Sequence, residues 1–247
     1  MYYLYETHCH GSQCSACAKS PTQDMVRAYR EAGYAGMVLT DHFIYGNTAV
    51  SRSLPWKQRM RAYYDAFLDA KAVGDALDFD VIFGFEHWYG SGKEMLVYGI
   101  DLDFLLEHPQ IPELSIDEFA DLVHENGGLL VQAHPYRRRY YIRDEVTIRP
   151  DLVDGIEVYN AWNSPGENPE ALELAKTGEF IYTCGGDTHA DWDKMVGAAG
   201  ILLPHRVKTT QEFAKALHGR AKLLRFRQHD DPEMIRIRPV KAAAGNH

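Results

Sequence analysis

The residues able to do chemistry are histidines and carboxylates, and they fall in five short stretches: His8-Cys9-His10, Asp41-His42, Glu86-His87, His134-Pro135 and Asp187-Thr188-His189. Residues two apart on a strand point to the same face. His8 and His10 therefore leave the chain together, at the end of the aromatic, alternating run over residues 2–5. Two neutral imidazoles on one side can hold one metal ion. Taken singly, each remaining stretch has an ordinary explanation: a hydrogen-bonded loop histidine at 42, a surface carboxylate at 86, a turn at 134–135, a helix cap after Gly185-Gly186. Those explanations do not account for a shared position, since each stretch follows an apolar run of strand type. Imidazoles and carboxylates with no evident cysteine ligand favour zinc, manganese or iron. Seven or eight donors exceed one tetrahedral site. Two or three ions sharing a carboxylate fit better, and clustered ions suit phosphoryl chemistry by acidifying water and neutralising phosphate oxygens.

The elements that must place these residues alternate in type. Ser20 as N-cap, Pro21 at the first helical position and Gln23 open a helix that Gly33 stops. Residues 36–40 are apolar without a break, as in a buried parallel strand, and end in Asp41-His42. A long loop leads to a helix over 56–73 with Met60, Tyr63, Tyr64, Phe67 and Leu68 on one face. Strands follow at 79–85 (ending in Glu86), at 94–100 after the turn Gly90-Ser91-Gly92, at 129–133 (ending in His134), at 155–159 and at 180–184. Between them lie a helix from the capping box Ser115-Ile116-Asp117-Glu118 to Asn126 and another over 169–176. A short strand at 198–202 and a helix at 209–217 close the series. Strands alternating with helices imply parallel pairing and one (β/α) barrel over residues 1–222, whose active site sits at the strands' C-terminal ends. Residues 223–247 are expected to form a tail, peripheral or partly disordered.

Composition narrows the partners. A net charge of −9, from 26 basic and 35 acidic residues, lacks the broad basic footprint of a duplex-binding protein, so no stable nucleic-acid partner is expected. No apolar stretch of eighteen residues and no leader-like segment appears, and the expectation is a soluble, cytoplasmic chain with no membrane partner. Cys14-x-x-Cys17 has the spacing of a redox pair or half a zinc site, but no second such pair completes a cluster. The cysteines are best read as small residues of the turn above the first strand.

In order along the chain, His8-x-His10, Thr40-Asp41-His42, Gly84-Phe85-Glu86, Ala133-His134-Pro135 and Gly186-Asp187-x-His189 resemble the motifs of the polymerase and histidinol phosphatase (PHP) family, over roughly residues 3–205. The resemblance implies a distorted (β/α)7 TIM-like barrel and a phosphoesterase site of two or three divalent ions. His8, His10, Glu86 and Asp187 would hold the first ion, Glu86 and His134 the second, His42 and His189 the third. Glu94 stands where the family often has a further histidine and is carried over as a ligand. Ala16 occupies a position that histidinol-phosphatase-like members give to a histidine, which argues against that substrate and leaves the third ion to Cys17 or water. Arg137, just after His134-Pro135, is the candidate for phosphate binding and transition-state stabilisation, with Tyr159, Asn160 and Lys93 as further substrate contacts. Asp187 or His189 would manage a proton while a metal-bridging hydroxide attacks phosphorus. The implied substrate is a small phosphorylated metabolite, a monoester or a small or cyclic diester. Three rivals stand beside it. Aromatic loops at Phe43-Ile44-Tyr45 and Trp88-Tyr89 suit a nucleotide-directed phosphodiesterase or exonuclease. An amidohydrolase would need a strand-end lysine, which is not evident. A non-catalytic metal-binding module should have lost more ligands.

Overall fold

A computed structural model describes residues 2–218, apart from 144 and 146, and the backbone of residues 223–226. The strands come as β1 (Tyr3–Cys9), β2 (Gly36–Leu39), β3 (His42–Phe43), β4 (Asp80–Phe83), β5 (Phe85–Gly90), β6 (Lys93–Tyr98), β7 (Leu129–Gln132), β8 (Gly155–Asn160), β9 (Ile181–Gly185), β10 (Ala199–Leu203) and β11 (Leu223–Phe226). Helices α1 (Thr22–Glu31), α2 (Trp56–Ala76), α3 (Leu102–Glu107), α4 (Ile116–Glu125), α5 (Glu167–Ala175) and α6 (Thr210–His218) lie between them. No described helix is long and apolar enough to cross a membrane.

Two sheets form, in the orders β11-β10-β1-β2-β4 and β3-β5-β6-β7-β8-β9. They face each other: the Tyr98 hydroxyl on β6 donates to the Thr7 carbonyl on β1 at 2.8 Å. Where a closed seven-stranded ring is expected, the described strands make none, and local bonding explains both gaps. Between β2 and β3 the Thr40 hydroxyl bonds the Cys9 backbone. Gly84 separates β4 from β5, although Gly84 N–H to Leu39 and Glu86 N–H to Asp41 carry the strand path across. On the other side, β1 gives its ladder edge to antiparallel β10 and meets β9 and the loop after it by the bond from the Thr7 hydroxyl to the Cys184 carbonyl, the Cys9–Thr188 bridge and the bond from Asp187 N–H to the His8 carbonyl.

Pairing is also mixed rather than parallel throughout. β5 and β6 are antiparallel, as are β6 and β7. The turn at Ser91-Gly92 is far too short for the crossover that a parallel pair requires. The start of α1 differs too: Pro21 occupies the cap position, Gln13 Oε1 accepts the Thr22 N–H, and the Ser20 hydroxyl goes to Asp191 instead. On α2, Met60, Tyr63 and Phe67 are buried, but Leu68 is 45% exposed. The capping box at Ser115 is present in both halves. Within the range expected to be tail, β11 pairs with β10; the remainder, from residue 227, lies outside the described residues.

Helices pack on the outer side of the strands, α2 on β4, α4 on β7 and α5 on β8. The apolar residues between these layers form one cluster, and that rigid frame is what aims the polar strand ends.

Candidate metal centre

Seven of the candidate ligands lie where a strand ends or just beyond it; Glu94, at the start of antiparallel β6, comes to the same place because β6 runs the other way. All eight are brought together. Four overlapping groups have ligand atoms within 4.8 Å of one another: His8/His10/Asp187, His8/Glu86/His134, His42/Glu86/Glu94 and His10/His42/His189. Glu86, 1% exposed, belongs to two of them and is the carboxylate they share. Its Oε1 lies 3.2 Å from His8 Nε2 and 3.0 Å from His134 Nε2, and its Oε2 lies 2.8 Å from His42 Nδ1. Asp187 Oδ1 is 3.2 Å from His10 Nε2 and 3.5 Å from His8 Nε2. Glu94 reaches His42 at 3.3 Å and His134 at 3.6 Å.

Proximity alone would describe a salt-bridge network. What marks a metal centre is that His8 Nε2, His10 Nε2, His42 Nδ1 and Glu86 Oε2 are buried without a hydrogen-bond partner among the described residues, despite these distances. An unpaired buried polar atom costs about 1–3 kcal/mol, and four in one cluster signal a place for a cation rather than a folding defect. The donor set, imidazole nitrogens and carboxylate oxygens, suits zinc, manganese or iron.

The opposite ring nitrogens fix the tautomers. His8 Nδ1 donates to Glu157 Oε1 at 2.9 Å, and His189 Nδ1 donates to the Asp187 carbonyl at 2.8 Å. His10 Nδ1 lies 3.1 Å from the Ser15 hydroxyl, which itself donates to Asp41 at 2.6 Å. Each leaves its Nε2 lone pair for an ion. Glu157 and Ser15 escaped the sequence reading. A carboxylate inside the apolar run of β8 was the signal for the first; Ser15 gave none. Glu6 was also missed. Its Oε1 accepts the backbone N–H groups of Thr7, His8 and Gly186 and so ties the end of β1 to the loop after β9. Gly185 permits this approach, since a Cβ there would stand 2.5 Å from that of His8. His134 and Asp187 hold positive φ values of 26° and 52°, strain of the kind that clusters at working sites.

Charge follows the geometry. Burial opposes ionisation of Glu86, but His8 and His42 hold it well below the usual carboxylate range. Asp187 is held low in the same way by His8 and Arg137. Burial resists a charge on His8, yet Asp187, Glu157 and Glu86 raise it well above the ordinary histidine value. Burial likewise resists a charge on His42, and Glu86 leads the groups that raise it. Protons on these two rings thus neutralise the carboxylates that divalent ions would neutralise.

Arg137 and Asn160 join the cluster. Arg137 Nη2 lies 2.7 Å from Asp187 Oδ2 and 2.6 Å from Asn160 Oδ1, while its Nε donates to Asn163. Asn160 Nδ2 reaches both Glu157 and Asp187, because a bulge between Glu157 and Tyr159 turns residues 157 and 160 to one side. Of the other two candidates, Tyr159 is buried in the hydrophobic core, and Lys93 begins β6 opposite Gly90, next to Glu94. His87, next to Glu86, stacks on Phe119 with ring centroids 3.9 Å apart, and burial alone takes it down to about 3.

No family model matches the sequence, and no curated protein matches it. Solved structures do. A two-domain protein from Bacteroides vulgatus containing a predicted PHP-like metal-dependent phosphoesterase superposes with TM-score 0.64 at 15% identity, over 92% of this chain and 65% of that one. A lesion-specific endonuclease, Endonuclease Q of Pyrococcus furiosus, gives 0.64 at 12% identity, over 90% and 58%. An amidohydrolase from Chromobacterium violaceum gives 0.58 at 13% identity, over 96% and 98%. At such identities the likeness is one of fold, and the fold is shared with PHP-like proteins, those whose motifs this sequence resembles in order.

Proposed function

We propose that this chain is a hydrolase of phosphate esters that works with two or three divalent ions of manganese, zinc or iron in a PHP-type site. The observation that carries the reading is the set of buried, unpartnered ligand atoms at His8, His10, His42 and Glu86, ringed by Asp187, His134, Glu94 and His189. His8, His10, Glu86 and Asp187 would hold a first ion, Glu86, His134 and Glu94 a second, and His42 with His189 a third. Ions held there would acidify a water and neutralise phosphate oxygens. Arg137 anchors Asp187 through Oδ2 and turns Oδ1 toward His8 and His10. Its Nη1 donors lie outside its contacts to Asp187, Asn160 and Asn163 and are assigned to a phosphate oxygen. His189 spends Nδ1 on the Asp187 carbonyl and keeps Nε2 for the site; Asp187 or His189 would manage the proton of the attacking water.

The substrate we assign is a small phosphorylated metabolite, a monoester or a small or cyclic diester, in keeping with the acidic charge of the chain. A second reading has its own support. Endonuclease Q shares the fold. Tyr140, Tyr141, Trp162 and Trp192 are exposed, and the backbone N–H of Trp162 donates to the site residue Asn160, its indole N–H to Asp193. Such rings suit stacking on bases, so a nucleic-acid phosphodiester is the alternative substrate. The likeness to an amidohydrolase carries less, since a carboxylate, Glu86, fills the bridging position.

Phosphate release from sugar, nucleotide and cyclic phosphates, with oligonucleotide cleavage in parallel on manganese-, zinc- or iron-loaded protein, tests the assignment. Turnover of small esters that chelation abolishes supports it. Cleavage of oligonucleotides alone moves the substrate to the second reading. Two or more bound ions with no turnover of any ester leave a metal-binding module and overturn the enzymatic assignment.

A further inference from the structure

Trp162, in the loop that follows β8, is 42% exposed, yet both its neighbours are buried, Ala161 at 1% and Asn163 at 6%. Hydrogen bonds hold it at three points. Its backbone N–H donates to Asn160 Oδ1 at 3.0 Å, its carbonyl accepts from Arg139 Nη2 at 2.8 Å, and its indole N–H donates to Asp193 Oδ2 at 3.1 Å. Asp193 is fixed in turn, since its Oδ1 takes the backbone N–H of Met195 at 2.9 Å. The indole bond therefore joins the loop after β8 to the segment that carries Asp187 and His189. A large ring held this firmly and left open to solvent is a surface prepared for contact.

The same loop frames the phosphate end of the site. Asn160 and Asn163, before and after Trp162, both accept from Arg137, at 2.6 Å from Nη2 and 3.0 Å from Nε. Residues 160–163 thus set the Arg137 guanidinium and the Trp162 side chain relative to each other. Polar groups around the tryptophan are spent on this frame: Asn160 Nδ2 goes to Glu157 and Asp187, Asn163 Nδ2 goes to Asn168, and both Asp193 oxygens are engaged. A hydroxyl-rich group lying there would find few partners, whereas a flat ring would gain by stacking on the indole.

We propose that Trp162 determines the specificity of the site, as the platform on which an ester bearing a planar aromatic ring, a nucleobase or an aryl group, lays that ring while its phosphate lies at Arg137. The inference rests on the phosphoesterase reading above and narrows its substrate class to esters with such a ring. The stacked ring takes no part in bond breaking, so it holds the bound ester and the transition state alike. Its contribution therefore falls on KM and not on kcat.

Adenosine 5′-monophosphate and ribose 5-phosphate provide the test, because they share the scissile bond and differ in whether the sugar carries a base. Binding by calorimetry and turnover are both read on the whole chain loaded with manganese or zinc. The wild type is expected to favour the nucleotide by about ten-fold or more in Kd and KM, and Trp162→Ala to bring that ratio to within about two-fold. Trp162→Phe, which keeps a flat ring, should retain more of the preference than Trp162→Ala. Equal handling of the two esters by the wild type, a ratio that survives Trp162→Ala, or a loss confined to kcat and common to both esters would overturn the role of Trp162 and leave the phosphoesterase reading standing. A loaded chain that neither binds nor turns over either ester would overturn that reading and this inference with it. The wild-type ratio needs no variant, so a misfolded variant does not remove the test.

Discussion

Glu157 shows how much one side chain governs the site. Its Oε1 takes the His8 Nδ1–H at 2.9 Å, and its Oε2 takes the backbone N–H of His134 at 2.9 Å and the Asn160 amide at 3.0 Å. One carboxylate therefore sets a ligand tautomer, supports the strained backbone of a second ligand and orients the amide that steadies Asp187. Glu157→Gln keeps the shape but can turn a donor toward a donor, at His8 or at His134. We expect metal affinity to fall by about 10- to 100-fold, as for other partners of ligand histidines, with the fold intact. Competition against a chelator measures this, and unchanged affinity would remove Glu157 from its supporting role. Asp187→Ala acts more directly. With its Oδ1 facing both His8 and His10, loss of the carboxylate should empty the first ion position and abolish hydrolysis together. Wild-type metal content in that variant would refute the ligand assignment.

At the scale of elements, the site depends on how closely the loop after β9 approaches the end of β1. Gly185→Ala puts a methyl 2.5 Å from the His8 Cβ, on two backbone segments tied together by Glu6. Overpacking of this kind costs about 1–3 kcal/mol. It should also part Asp187 and His189 from His8 and His10, so denaturant midpoint and metal affinity should drop together; a fall in stability with full affinity would mean that the two strand ends move independently. The strand ends themselves were legible, because an apolar run followed by an imidazole or carboxylate states both the element and its chemistry. The helix at Ser115 was legible from its capping residues alone. Connection geometry was not. A Gly-Ser-Gly turn at 90–92 was visible, but the alternation of strands and helices elsewhere favoured parallel pairing over the hairpin that so short a link enforces. The failure of the ring to close depends on β10 competing for the edge of β1, a contact between residues nearly two hundred apart that no local pattern encodes. Supporting groups were hidden for another reason. Ser15 and Glu6 act through hydrogen bonds that only the final fold makes, and a serine or glutamate in sequence does not announce its partners.

For the whole molecule, metal content and pH should be coupled, with a sign the site dictates. In the metal-free chain, His8 and His42 are raised by their carboxylate neighbours, so their contribution to stability is full below the ordinary histidine value and is lost as pH rises through the raised values. Buried Glu6, pushed up to about 7, and Asp41, pushed up to about 6, act in the same direction, since ionising them inside the fold costs stability as pH rises. Glu86 and Asp187, held low, contribute above the ordinary carboxylate range and lose that contribution only on acidification through their depressed values. In the chelated protein Glu6 and Asp41 should therefore lose their contribution by about pH 7, and His8 and His42 theirs above the ordinary histidine value, about 6.5. The Cys17 thiol, brought down to about 6 against its burial by His189 and His42, opposes that loss. Divalent ions reverse the trend, because protons and metal compete for the same imidazoles and affinity grows as the protons leave. Free ion at a hundred times its dissociation constant stabilises by about 2.7 kcal/mol, or roughly 5–11 °C in a chain of this size. Thermal melts with and without chelator should thus diverge from pH 6 to pH 8, the loaded protein gaining on the metal-free one. Curves that stay parallel would mean that protons and ions do not share these ligands, and the centre would then be a salt-bridge network after all.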